Sequence, residues 1–109
     1  MTSTPAAYLT DPAEYWGGID DAVARAHLDS PVLALDLGAL EHNIADLRRR
    51  AAGVPIRVAS KSVRIRSVLE DVLSRDGYAG VLAYDVAEAR WLATESGVGD
   101  VLLGYPSVR

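Results

Sequence analysis

The chain has no cysteine in its 109 residues, which removes disulfides, thiolate chemistry and cysteine-based metal sites together. Long apolar runs are missing too, and none approaches the length of a membrane span. Met1-Thr2-Ser3-Thr4-Pro5-Ala6-Ala7 lacks the basic start and apolar core of a signal peptide. Positive charge is in short supply: net charge is −4 and the pI is near 5.0, so no basic face for a nucleic-acid partner is expected. A glycine-rich phosphate fingerprint is also absent, because Gly97-Val98-Gly99 precedes an apolar run instead of opening a helix. These absences lead to the expectation of a soluble cytoplasmic protein that binds neither nucleic acid nor membrane. Lysine is the scarcest charged residue, with a single copy, Lys61; the other ten basic residues are arginines.

What is present suits one domain. Half of the residues are hydrophobic, which argues against disorder. Residues 1–30 read as a loose N-terminal tail, to about residue 10, followed by short helices. Asp11-Pro12 marks a helix start, Gly17-Gly18 is expected to interrupt it, and a second helix is expected over about 19–28.

From residue 31 an alternating pattern sets in. Apolar runs at 31–35, 56–60, 80–84 and 100–104 read as buried strands. Between them lie amphipathic stretches. Leu37, Leu40, Ile44, Leu47 and Ala51 step by three and four after the cap Asp36, and Arg48-Arg49-Arg50 suits the negative end of that helix. Ile65, Val68, Leu69, Val72 and Leu73 form a second stripe. A third helix opens at Asp85-Val86-Ala87-Glu88, a capping-box pattern. Strand starts spaced by a little over twenty residues give the βαβ rhythm of a parallel sheet, in a barrel or a doubly wound fold. Four strands and three crossover helices make about half of an eight-stranded barrel, so an incomplete N-terminal fragment of a longer protein is expected.

In parallel α/β folds the chemistry gathers at the C-terminal ends of the strands. Here those ends carry Asp36, Lys61, Tyr84, Asp85 and Tyr105. Helix capping accounts for Asp36 and Asp85. Lys61 is the candidate nucleophile: an amine packed against low-dielectric surroundings loses preference for its charged form and can condense with an aldehyde such as pyridoxal phosphate. A surface lysine is the plain alternative. Tyr84 and Tyr105 either line a cofactor pocket or plug a barrel end. With strict alternation Arg57 shares a strand face with Ala59 and Lys61, where it could pair with a nearby acid or a cofactor oxygen. His27 and His42, both expected on helices, have no partner at ligand spacing, and no metal site is expected.

The run Pro31-Val32-Leu33-Ala34-Leu35-Asp36-Leu37-Gly38-Ala39-Leu40-Glu41-His42-Asn43-Ile44 resembles the opening of the alanine racemase N-terminal domain. It is most similar to the branch of D-threonine aldolases, D-serine dehydratases and amino acid deaminase/aldolase-like proteins. The spacing to Arg57-Val58-Ala59-Ser60-Lys61-Ser62 fits that branch, and Val101-Leu102-Leu103-Gly104-Tyr105-Pro106 resembles one of its later strands. Ile65 stands where alanine racemases proper have a tyrosine four residues after the lysine.

The resemblance implies residues 31–109 as the first βα units of a pyridoxal-phosphate-binding (β/α)8 barrel. Of the site residues it carries over only Lys61, as the Schiff-base lysine; Arg57, Tyr84 and Tyr105 remain cofactor-binding candidates by their positions on the strands alone. It implies a lyase of amino acid metabolism (aldolase, deaminase or dehydratase) acting on a small amino acid, the parent being a homodimer and this chain alone inactive. In such proteins the 31–35 run can pair with a separate β domain, which would lower the strand count by one. A non-catalytic pyridoxal-phosphate-binding protein of the homeostasis type, and a small α/β module with a structural Lys61, are the alternatives.

Overall fold

The computed structural model describes residues 7–105 and divides the chain into two compact units, Met1–Leu47 and Arg48–Arg109. The loose tail expected to about residue 10 lies outside the described residues as far as residue 6, and its remainder, Ala7–Thr10, is helical; Pro106 and the residues after it also lie outside the described residues.

In the first unit, α1 (Ala7–Thr10) is followed by α2 (Pro12–Arg25). Asp11 caps α2: its Oδ1 accepts from the Glu14 amide at 3.0 Å, and Pro12 fills the first helical turn, where no amide donor is needed. The expected interruption at Gly17-Gly18 does not occur, and α2 runs through both as one helix. Each glycine costs about 1 kcal/mol relative to alanine in a helix. The cap and the surrounding helix formers outweigh that cost. His27, expected on a helix, lies beyond α2 with φ of 50°.

The run Pro31–Leu35 is a second departure: it belongs to no strand. Its side chains show why the apolar pattern misleads, since Leu33 is 94% exposed and Leu35 50%. A continuous apolar run signals a strand only where neighbouring strands bury it on both faces. After it α3 (Leu37–Ala51) begins at the cap Asp36, whose Oδ1 accepts from the Ala39 amide at 2.9 Å. Arg48, Arg49 and Arg50 occupy its last turn as expected, and the boundary between the two units falls within this helix.

The second unit holds the sheet. Strands β1 (Ile56–Ala59), β2 (Tyr78–Ala83) and β3 (Val101–Leu103) pair in parallel in that order. Crossovers through α4 (Arg66–Leu73) and α5 (Val86–Thr94) join them. The alternation of helix and parallel strand is therefore as expected, with three strands in place of four. Val81 and Ala83, alternate residues of β2, are buried against Leu69 of α4 and Leu92 of α5, and Val58 and Val101 flank them. Both helices thus cover one face of the sheet. The other face carries Arg57, Gly80, Leu82, Asp100 and Leu102 by strand alternation. It is left open, with Leu102 53% exposed.

Leu92 is 1% exposed and joins α5 to β2 and β3. Leu92→Ala is expected to lower the unfolding free energy by about 2–5 kcal/mol, the range for a buried leucine whose cavity cannot collapse. A urea titration followed by circular dichroism reads the shift; a change under about 1 kcal/mol would mean this layer is not the core.

Candidate functional site

Each strand of a parallel sheet ends at the same side, so the residue after each end is brought to one mouth. Ala59 ends β1. Ser60 follows, fully buried, and both its amide (3.1 Å) and its Oγ (3.2 Å) donate to the carbonyl of Leu82 on β2. The Ser62 amide then donates to the Ala59 carbonyl at 3.1 Å, closing a tight turn with Lys61 at its third position. Ser60 is therefore the anchor and Lys61 the residue presented. The sequence pattern singled out the lysine and missed the serine, although a small hydroxyl residue at a strand's end is the expected type for such a bond.

Tyr84 follows β2 directly. Its amide donates to Glu88 Oε2 at 3.0 Å, while Asp85 Oδ1 accepts from the Glu88 amide at 2.8 Å; Asp85 caps α5 as expected, but the Glu88 carboxylate takes the amide of Tyr84 and not that of the cap residue. On β3, the Gly104 amide donates to the Ala83 carbonyl at 2.9 Å and continues the ladder past the strand's end. A Cβ at residue 104 would sit 3.1 Å from that carbonyl oxygen, so glycine keeps this approach close. Tyr105 comes next, and its ring meets that of Tyr84 edge-on, with centroids 5.5 Å apart and planes at 75°.

Lys61, Tyr84 and Tyr105 thus line one recess with Leu82, Ala83 and Gly104, of about 180 Å³. It is smaller than the roughly 300–1,000 Å³ of an enclosing ligand pocket. The amine and both tyrosines are exposed. The expected packing of Lys61 against apolar surroundings is not seen: the turn that displays it also lifts it out of the core.

Arg57 does not join them. Its Nη1 and Nη2 reach Asp100 Oδ1 and Oδ2, both at 2.8 Å, and Nη1 also donates to the Val81 carbonyl at 3.4 Å. Asp100 precedes the first residue of β3, so this bidentate pair spans β2 at the end of the sheet opposite Lys61. Of the two roles open to Arg57, pairing with an acid is the one observed. The crossing point is Gly80, at φ +76°, beside a register shift in the β1–β2 pairing. A Cβ on Gly80 would lie 2.8 Å from Asp100 Oδ2 and closer still to the Arg57 guanidinium. The bonds from Arg57 hold the Asp100 carboxyl below its ordinary value of 3.8 and raise the guanidinium in turn.

Among the described residues, no cluster of three or more His, Asp or Glu side chains is placed to hold a metal ion. No family model, curated protein or solved structure matches the chain.

Asp100 titrates lower in the folded chain than in the unfolded one. Its stabilisation is complete above the ordinary carboxylate value and is lost as pH falls through the lower folded value. Asp36 behaves likewise, held down first by the Ala39 amide and then by the Tyr15 hydroxyl. Urea midpoints measured from about pH 6 to about pH 2 should therefore fall, and Asp100→Asn should flatten part of that fall while Asp36 keeps the rest. An unchanged profile in Asp100→Asn would show that the pair adds nothing. Gly80→Ala should destabilise the chain by roughly 1–3 kcal/mol, from a left-handed backbone forced on a residue with a side chain and from displacement of the ion pair.

Proposed function

We propose that this chain is the first part of a pyridoxal-phosphate-binding (β/α)8 barrel and that Lys61 is the residue that holds the cofactor. The single observation that carries the reading is the recess at the C-terminal ends of three parallel strands, where the only lysine of the chain meets the Tyr84–Tyr105 pair. The open sheet face supports it as well. A sheet covered by helices on one side, with Leu82 and Leu102 on the other, has the sidedness of a barrel wall.

The donor set fits the cofactor's chemistry in one respect and leaves another to other parts of a barrel. An exposed primary amine can reach an aldehyde, and two tyrosine rings at its side can flank a pyridine ring. The recess itself has no second cation lining it for a phosphate, since Arg57 is committed to Asp100 at the far end of the sheet. Lys61, Tyr84 and Tyr105 are therefore the cofactor residues proposed, and Arg57 is a strand clamp. When bound, pyridoxal phosphate supplies an electron sink that stabilises a carbanion next to an amino acid nitrogen.

In that setting Lys61 would bind the cofactor and stand ready to take or return a proton. Tyr84 and Tyr105 would orient the ring and exclude water from one side. Ser60 would fix the turn that aims the amine. The activity proposed for the whole protein is that of a lyase acting on a small amino acid, as a cytoplasmic homodimer, with residues 1–109 inactive by themselves.

Incubation with pyridoxal phosphate, borohydride reduction and mapping by mass spectrometry tests the assignment. Because Lys61 is the only lysine, the N-terminal amine is its sole competitor of the same kind. Labelling is expected to favour Lys61, to vanish there in Lys61→Ala, and to drop several-fold in Tyr84→Ala combined with Tyr105→Ala. Equal labelling of both amines, on a chain shown by cooperative melting to be folded, would sink the cofactor reading and leave Lys61 a surface residue.

A further inference from the structure

The first unit carries a feature unrelated to the Lys61 recess. Between α2 and the segment leading into α3 runs a groove of about 610 Å³, walled by Trp16, Gly18, Ile19, Val23, Leu35 and Leu37. It is apolar for most of its lining, yet open: Trp16 is 58% exposed and Leu37 67%. Side chains of this kind at a groove's rim are anchors looking for a partner.

Two observations identify that partner. The first is charge. Residues 1–47 hold a single arginine, Arg25, against eight carboxylates, a formal charge of −7, whereas residues 48–109 carry +3. On α2 the acids flank the apolar stripe: Asp20 borders it on one side, and Glu14 and Asp21 on the other. Pairing of α2 with α2 of a second copy would bring like charges together, so the surface selects a basic partner.

The second is Gly18. It lies within a helix, where glycine is costly, and apart from its neighbours and the backbone of its own turns nothing comes within 4 Å of where its Cβ would be. Nothing inside the molecule requires a glycine there. One turn on is Ala22, also in the groove wall. A glycine and an alanine at this spacing let a second helix approach the α2 backbone closely. Gly17 is equally unobstructed but does not line the groove.

We propose that this groove docks a cationic amphipathic helix, which lays its apolar face along Gly18, Ala22 and Leu35 and brings its basic residues to Glu14, Asp20 and Asp21. Trp16 is the anchor at the rim. The chain would thus have a partner site independent of any cofactor chemistry at Lys61.

The test uses the full 109-residue chain, labelled with nitrogen-15, and a synthetic 18-residue peptide of leucine, alanine and lysine with its leucines at helical spacing. A second peptide of identical composition has the leucines scattered. The expected result is a set of amide shifts confined to residues 15–23 and 34–38 with the first peptide and not the second. Gly18→Leu should cut affinity by about tenfold or more, the size of one lost anchor contact, while filling no space the chain itself uses. Leucine is a better helix former than glycine, so this variant should fold at least as well. Gly17→Leu, the same change one residue off the groove, should bind as the parent does. Asp20→Asn with Asp21→Asn should weaken binding and its salt dependence. Equal binding of both peptides, shifts elsewhere in the chain, or full affinity in Gly18→Leu would each overturn the proposal.

Discussion

The parallel pairing of β1 and β3 on either side of β2 is the constraint from which the rest of the second unit follows. In antiparallel strands, chain ends would alternate between the two sides of the sheet. Here all three strands end at one side, so whatever follows them must meet there. Lys61, Tyr84 and Tyr105 are separated by more than twenty residues in sequence and share one recess of the structure. The pairing is possible because α4 and α5 return the chain over one face, and because Val81, Ala83, Leu69 and Leu92 give those helices something to bury. Burial of that single layer holds the helices, the helices hold the strand direction, and the strand direction makes the mouth.

The two ends of the sheet are specialised differently. At the start of the strands, Arg57 and Asp100 form a bidentate pair across Gly80 that ties the outer strands together over the middle one. The pair sits on the open face and stays partly exposed, with side chains at 33% and 61% accessibility. Its Coulombic worth is therefore modest, and its geometry matters more: two parallel bonds fix the offset of β1 against β3 where the β1–β2 ladder is irregular. At the other end, register is fixed without charge, by Ser60 on the Leu82 carbonyl and Gly104 on the Ala83 carbonyl. The only cation placed in the recess is thereby left free of ion-pair duties that would hold it elsewhere.

How much of this could be read from the chain depended on how local the cause was. Caps are local, and Asp11, Asp36 and Asp85 all cap helices as their spacing implies. The three-and-four stepping that marks α3 and α4 as helices is local too, but burial is not: Leu37, Leu47 and Ile65 of the expected stripes are exposed. Gly17-Gly18 misled because a breaker's cost of about 1 kcal/mol each is small against a well-capped helix of this length. The run at 31–35 misled for the opposite reason. Strand formation needs an edge to pair with, and an apolar pentapeptide cannot announce whether that edge exists. For the site, strand-end position was enough to gather Lys61 with both tyrosines. It could not place Arg57, because alternation gives a residue's face and says nothing of which end of the face its long side chain reaches. Nor could it find Ser60, whose importance lies in a bond to a residue 22 positions away.

The exposure of Lys61 bears on what kind of chemistry this arrangement supports. An amine buried among apolar side chains would be tuned by the chain itself. An amine lifted on a turn at the lip of a small recess takes its surroundings from whatever closes over it. The recess has a floor, Leu82 and Ala83, and one aromatic wall, so two sides of a planar guest would be contacted by residues described here and the rest by others. That division matches a sheet with one face covered by α4 and α5 and the other leaving Leu102 and the Tyr84 ring exposed. Under the proposed cofactor role, whatever closed over the recess would have to remove water from the Lys61 amine as well as from the Tyr84 and Tyr105 rings that line it.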